Sequence, residues 1–149
     1  MFKALRNPVH RTGVALLSLL LLAACSTEDA VKVPADRIIG DWKGPDGEQL
    51  SFSIDRKFTS SGLDSKNLAA IRCPGSTAAG SWGFFVDDEN GSHMSKTAKS
   101  GSRIGLSFQD VRQEDCMMDL AVLDDGETLC ATNDPDVPCG LEVRFSREK

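Results

Sequence analysis

The sequence predicts an all-β domain, an antiparallel sandwich or barrel of eight or nine short strands. Three segments far apart in the chain, residues 50–54, 104–108 and 141–145, alternate between apolar and polar side chains. That alternation is the period of a strand with one buried face. Turn residues separate these and the other strand segments at the close spacing typical of antiparallel folds.

Apolar runs bounded by turn residues predict eight strand segments in order along the chain. They are residues 38–42, 50–54, 58–63, 81–86, 104–108, 116–123, 127–132 and 141–145. Pro45-Asp46-Gly47 and Asp124-Asp125-Gly126 supply hairpin turns.

Three connecting segments have other signals. One short helix is expected over residues 64–73, capped by Asp64 or Ser65, because Pro74-Gly75 must end it. Residues 87–95 (DDENGSHMS) have the composition of a loop, and residues 97–102 that of a weak edge strand or more loop.

The inward-facing positions of these strands predict a single core. It comprises Trp42, Leu50, Phe52, Ile54, Phe58, Trp82, Phe84, Ile104, Leu106, Phe108, Leu120, Val122, Leu129, Val143 and Phe145. About eight strands that close on themselves leave an interior that side chains fill, or that holds one small ligand.

The first 24 residues are typical of a secretory signal peptide. Lys3, Arg6 and Arg11 precede an apolar run at residues 14–22, which is too short to span a bilayer as a mature helix. Leu22-Ala23-Ala24-Cys25 then resembles the lipobox of bacterial lipoproteins. That resemblance implies cleavage before Cys25 and lipidation of its thiol, with diacylglyceryl and palmitate-like chains.

The resemblance implies an extracytoplasmic protein, lipid-anchored to the cell membrane. Ser26 would direct it to the outer membrane in a Gram-negative cell. We expect residues 1–24 to be removed, residues 25–36 to form a lipidated tether of roughly 35 Å, and residues 37–149 to form the barrel domain.

The mature chain of 125 residues is acidic. It retains 14 basic and 22 acidic side chains, a net charge of −8. Such a domain is repelled by nucleic-acid phosphates, so we expect no nucleic-acid partner. An envelope protein, or a small apolar ligand, remains a candidate partner.

Four cysteines remain besides Cys25, and an even count in an exported chain predicts disulfides. Cys130 and Cys139 flank turn residues, so we expect them to bridge across one loop. Of the three pairings that four cysteines allow, Cys73–Cys116 then completes the set.

A second resemblance concerns the mature domain. Gly40-Asp41-Trp42, the hairpin around Asp55 and Phe58-Thr59 resemble the opening of small lipocalin-like barrels. The chain also resembles lipoproteins of actinobacteria in Cys73-Pro74-Gly75, in Gly80-Ser81-Trp82 and in its final cysteine pair. These resemblances imply an up-and-down β-barrel and no activity.

Candidate chemical groups are few, and we expect no catalytic residue, metal site or cofactor. His93 is the only histidine of the mature chain and lacks a nucleophile motif around it. Asp87, Asp88, Glu89 and Asn90 do not match a calcium loop, and Asn133, Asp134 and Asp136 have turn chemistry.

Sulfur and indole groups have stronger structural explanations. In a strand, Met117 and Met118 cannot both face the same side as Cys116, so we expect a disulfide and core packing rather than a soft copper site. Trp42 and Trp82 would either stack on a ligand or plug the barrel, and the plug is expected.

The leading functional hypothesis is a non-enzymatic binding or accessory domain of the cell envelope. The alternative is a protein-binding inhibitor of a basic envelope or wall-degrading enzyme, and the second alternative is a hydrolase. An open apolar cavity would favour ligand binding. A filled barrel with a prominent acidic loop would favour a protein partner.

Overall fold

The chain forms a closed antiparallel β-barrel in the computed structural model, which describes residues 28–149. The predicted signal peptide and Cys25 lie outside these residues. The strands are β1 (Val33–Pro34), β2 (Gly40–Lys43), β3 (Gln49–Phe52), β4 (Lys57–Ser61), β5 (Ala78–Asp88), β6 (Gly91–Ser95), β7 (Ser100–Gly101), β8 (Arg103–Phe108), β9 (Asp119–Leu123), β10 (Thr128–Thr132) and β11 (Arg144–Arg147).

Eight strands make the barrel, in the up-and-down order β2-β3-β4-β5-β8-β9-β10-β11. Consecutive strands pair antiparallel, and β11 returns to β2 with Arg147 opposite Trp42. Because every neighbour in space is also the next barrel strand in the chain, short turns suffice to connect most of them. The fold class predicted from the alternation is confirmed.

Two further strand pairs lie outside the ring. The second half of β5 continues beyond β8 and pairs with β6, from Phe84 opposite Ser95 to Asp88 opposite Gly91. The prediction of a loop over residues 87–95 was therefore wrong. Elsewhere β1 pairs with β7, with Val33 opposite Gly101, so residues 97–102 do contain a short strand.

The expected helix over residues 64–73 is absent. This segment contains only the three-residue 3₁₀ turn Ala69–Ile71, which ends at Arg72 in the left-handed conformation. The other 3₁₀ turns described are Ala35–Arg37, Gln113–Asp115 and Asp124–Gly126. Leu63 and Leu68 are fully buried, so the segment is an irregular cover held by side-chain packing.

The predicted core is confirmed except at Ile54, whose exposed fraction is 82%. Strand β3 ends at Phe52, and residues 53–56 turn the chain with Arg56 at φ 64°. Ile54 therefore lies at the tip of a hairpin. The final strand also begins later than expected, at Arg144, because Glu142 adopts φ 57° in the preceding turn.

The expected tether over residues 25–36 is in part a component of the domain. Val31 donates its backbone N–H to the Val122 carbonyl at 2.8 Å, and Ala35 donates to the Lys99 carbonyl at 2.9 Å. Val33 is buried. We call residues 28–36 the strap, because Val31, Val33 and Ala35 pack against the core and do not lead away from the barrel.

Candidate functional site

The barrel interior is occupied by large side chains. Trp42 and Trp82 are fully buried, and each indole N–H donates to a backbone carbonyl, of Ile38 at 2.9 Å and of Ser53 at 3.2 Å. Trp82 makes edge-to-face contacts with Phe52 and with Phe84. The two tryptophans therefore act as plugs, as expected, and do not line an open ligand cavity.

One end of the barrel is covered by the β3–β4 hairpin. The Arg56 guanidinium lies 4.3 Å from the centroid of the Trp82 ring and 5.6 Å from that of Phe84. It also donates a hydrogen bond of 2.7 Å to the Ala98 carbonyl. Burial lowers the pKa of this guanidinium. Arg56 thus covers the aromatic core beneath the hairpin.

The opposite end is covered by residues 62–77. Leu63 and Leu68 pack into the core, and the Cys73–Cys116 disulfide ties this cover to the segment before β9. Glu48, which has no exposed surface, accepts hydrogen bonds from the Asp46 backbone N–H at 2.8 Å and from the Ser65 hydroxyl.

Glu48 is a buried carboxylate that the sequence did not single out. Its polar neighbours come from the β2–β3 turn and from the cover, so it joins these two segments. A hydrogen-bonded buried acid of this kind holds loops together because leaving it unpaired would be costly.

Both predicted disulfides are present. Cys73 bridges Cys116 and Cys130 bridges Cys139, across 43 and 9 positions of sequence. Cys130 faces outward from β10 and packs with Ala121 and Leu123 on the outside of the barrel. The second bridge therefore fixes the loop after β10 against the outer surface.

The Cys116–Met118 segment divides between the two sides of the sheet. Cys116 is in its disulfide and Met118 is buried, whereas the exposed fraction of Met117 is 61%. The expectation of core packing is thus right for Met118 and wrong for Met117. The exposed Met117 side chain therefore lies on the surface just before β9.

The other predicted site residues are dispersed. His93 is half-exposed on β6, with its Nδ1 atom 3.6 Å from an Asp88 carboxylate oxygen. Asp134 accepts a hydrogen bond from the Asp136 backbone N–H at 2.9 Å, the turn geometry expected of this loop. No group of three or more His, Cys, Asp or Glu side chains within residues 28–149 is placed to hold a metal ion.

The β5–β6 ribbon carries a group of acidic side chains. Asp87, Asp88 and Glu89 are all exposed at its tip. They project beyond the ring because β8 accompanies β5 only as far as Phe84. The ribbon offers this negative charge to solvent away from the barrel wall.

Several grooves lie on the surface of residues 28–149, and three of them bear on binding. One, of about 620 Å³, runs over the outer face of β3, β4, β5 and β8. Its rim consists mainly of small polar side chains: Ser51, Ser53, Thr59, Ser81 and Ser107. A smaller groove of about 330 Å³ adjoins it and shares Ser51 and Thr59.

The third groove, of about 510 Å³, has a different character. It lies at the base of the β5–β6 ribbon and combines apolar and acidic side chains: Phe85, Met117, Pro135, Glu114 and Asp119. Gly105 allows the Phe85 ring to approach the barrel, because a Cβ there would lie 2.9 Å from Phe85 Cε2.

A scan against protein-family models, a search of the curated proteins and a search of the solved structures each gave no match to this chain. No helix within residues 28–149 has the length and apolar character needed to cross a membrane.

Proposed function

We propose that this chain is a lipid-anchored lipoprotein on the outer side of a membrane, and that its barrel binds a basic protein of the envelope through its outer surface. The observation that carries the binding proposal is the filled barrel, with covers at both ends. A small apolar ligand would need interior volume that the tryptophan and phenylalanine side chains occupy.

The anchor is supported by the sequence around Cys25 and by the oxidised cysteines. Disulfides persist in oxidising compartments, and this domain has two. Two or three acyl chains on one cysteine would hold the protein firmly, since each buried CH₂ contributes about 0.8 kcal/mol.

The strap would place the barrel close to the membrane. Glu28 forms an ion pair with Arg144 on β11, with one of its two hydrogen bonds at 3.0 Å. That pair lowers the pKa of Glu28 and raises that of Arg144. Glu28 is only three positions after the lipidated Cys25, a span of about 10 Å.

This attachment would also orient the barrel. The strap lies against β9 and β11, and β4 is four strands away from β10 around the ring of eight. The outer face of β4, with its hydroxyl-lined groove, would then point away from the membrane.

A basic partner is supported by charge. The mature chain carries a net charge of −8, and three exposed acids lie at the tip of the β5–β6 ribbon. Complementary charge steers association and selects partners. An inhibitor of a basic wall-degrading enzyme is one form that this function would take.

Affinity capture from envelope extract tests the proposal. The lipidated protein in detergent should retain a basic envelope protein. The triple variant Asp87→Asn, Asp88→Asn, Glu89→Gln should capture at least tenfold less of that protein than the wild type does. A matched triple, Asp36→Asn, Asp110→Asn, Glu142→Gln, removes the same charge from other exposed sites and should capture normally.

Two results would contradict the binding proposal. One is equal capture by both triple variants, which would mean that the ribbon has no special role. The other is a retained small apolar molecule. The anchor is tested separately, because Cys25→Ser should leave the precursor uncleaved and without lipid, as measured by mass spectrometry of the membrane fraction.

A further inference from the structure

The groove at the base of the β5–β6 ribbon combines apolar and acidic side chains in one lining. Phe85, Met117 and Pro135 are its exposed or half-buried apolar members, and Asp119 lines the same groove. Glu114 adds a second acid at the rim, where it forms an exposed ion pair with Arg112 at 3.7 Å. We call this groove the acidic slot.

Asp119 lies on the outer face of β9 with little compensation for its charge. Its side chain is 28% exposed, and its nearest cationic atom is Arg103 Nε, 3.8 Å from Oδ2. Among the side chains and backbone groups that the structure describes, none donates a hydrogen bond to this carboxylate. Burial raises the pKa of Asp119, and the charge of Arg103 opposes that rise.

Arg103 is directed toward other groups. Its guanidinium stacks on the Phe85 ring at 4.0 Å from the centroid, and its Nη2 atom reaches the Ser92 hydroxyl at 3.4 Å. Its buried Nε atom has no hydrogen-bond partner. The ion pair with Asp119 is therefore a distant one and leaves the carboxylate able to accept a donor from outside.

Met117 gives the slot an apolar wall exposed to solvent, unusual for a side chain of this type. The slot thus has an apolar part and an acidic part. An arginine or lysine side chain has two matching parts, an apolar stem and a positively charged end. A stem lying between Met117 and Phe85 would bring its charged end to Asp119 and Glu114.

We propose that the acidic slot receives an arginine or lysine side chain of the basic protein partner, with Asp119 as the carboxylate that binds the cationic end. This inference rests on the proposed function and names the contact by which the barrel would recognise its partner. The partner's positive charge complements both the slot acids and the net charge of −8.

Methionine methyl resonances offer a direct test, since the mature chain contains only Met94, Met117 and Met118. The probe is N-acetyl-arginine amide, and N-acetyl-citrulline amide is its uncharged counterpart. With the mature protein in detergent micelles, the arginine probe should shift the Met117 resonance saturably. It should bind about tenfold more tightly than the citrulline probe, as a charge-assisted contact requires.

Asp119→Asn should abolish that preference. Asp110→Asn, which changes an exposed acid on the β8–β9 connection, should keep it. A urea midpoint of the Asp119→Asn protein close to that of the wild type would show that the variant is folded. Met117→Gln provides a second variant at an exposed position. It should lower the affinity for the arginine probe severalfold, as measured from the resonances of the probe itself.

Equal shifts from both probes, or an Asp119→Asn protein that binds arginine as the wild type does, would overturn the slot. If the ribbon acids still govern protein capture in that case, the proposed function stands without the slot. If the wild-type protein captures no basic envelope protein while Asp119→Asn still abolishes the arginine preference, the proposed function fails, and the assignment of the slot to a protein partner fails with it.

Discussion

The Arg147 guanidinium lies over the indole ring of Trp42, with its central carbon 4.5 Å from the ring centroid. The two residues are also opposite each other in the pairing of β11 with β2, where the barrel closes. Arg147 donates further hydrogen bonds to the carbonyls of Ile39, at 2.8 Å, and of Arg37. One side chain thus joins β11, the last strand, to β2 and to the residues just before β2.

Replacing this arginine should weaken closure of the barrel. Arg147→Met keeps an apolar stem but removes the cation–π contact and both charge-assisted hydrogen bonds, so unfolding free energy should fall by about 2–3 kcal/mol. Arg112→Met removes only exposed ion pairs with Glu114 and Asp115, and should change it by less than about 1 kcal/mol. Equal losses of unfolding free energy in Arg147→Met and Arg112→Met, measured by urea melts, would contradict this role for Arg147.

The contrast between Phe52 and Ile54 tests the inward face of β3. Phe52 is buried and Ile54 is exposed, although they are two positions apart and both fit the alternation. Phe52→Ala should cost about 3–5 kcal/mol, whereas Ile54→Ala and His93→Ala should each stay within about 0.5 kcal/mol. Denaturant melts measure all three, and a large loss at Ile54 would mean that β3 continues past Phe52.

Those two residues also show what the sequence could predict. Alternation identifies a strand with one buried face, and it found the barrel strands and most of the core. Alternation does not locate the end of a strand when the next apolar residue continues the every-second-residue pattern, as Ile54 does after Phe52. The left-handed Arg56 that ends the hairpin carries no such signal.

Segments outside the ring were missed for a related reason. The β5–β6 ribbon has two largely solvated faces, so residues 87–95 show no apolar alternation. The strap contains only Val31 and Val33 as larger apolar residues before Ile38, and its partners lie far away in sequence. The slot could not be predicted because Phe85, Asp119 and Pro135 meet only in the folded chain.

The disulfides should contribute unequally to stability. The chain-entropy relation assigns about 4 kcal/mol to Cys73–Cys116 and about 3 kcal/mol to Cys130–Cys139, because the first closes the longer loop. Paired alanine variants, Cys73→Ala with Cys116→Ala and Cys130→Ala with Cys139→Ala, should follow that order in thermal melts. The reverse order would show that residues 62–77 are held mainly by Leu63, Leu68 and Glu48.

Native mass spectrometry of the protein extracted from its own membrane tests the central claim most directly. We predict the mass of residues 25–149 with a lipid on Cys25, less the four hydrogens lost in two disulfides, and no retained small molecule. A mature N-terminus elsewhere, an unmodified Cys25, or an apolar ligand retained with the barrel would contradict a lipid-anchored protein that acts through its outer surface.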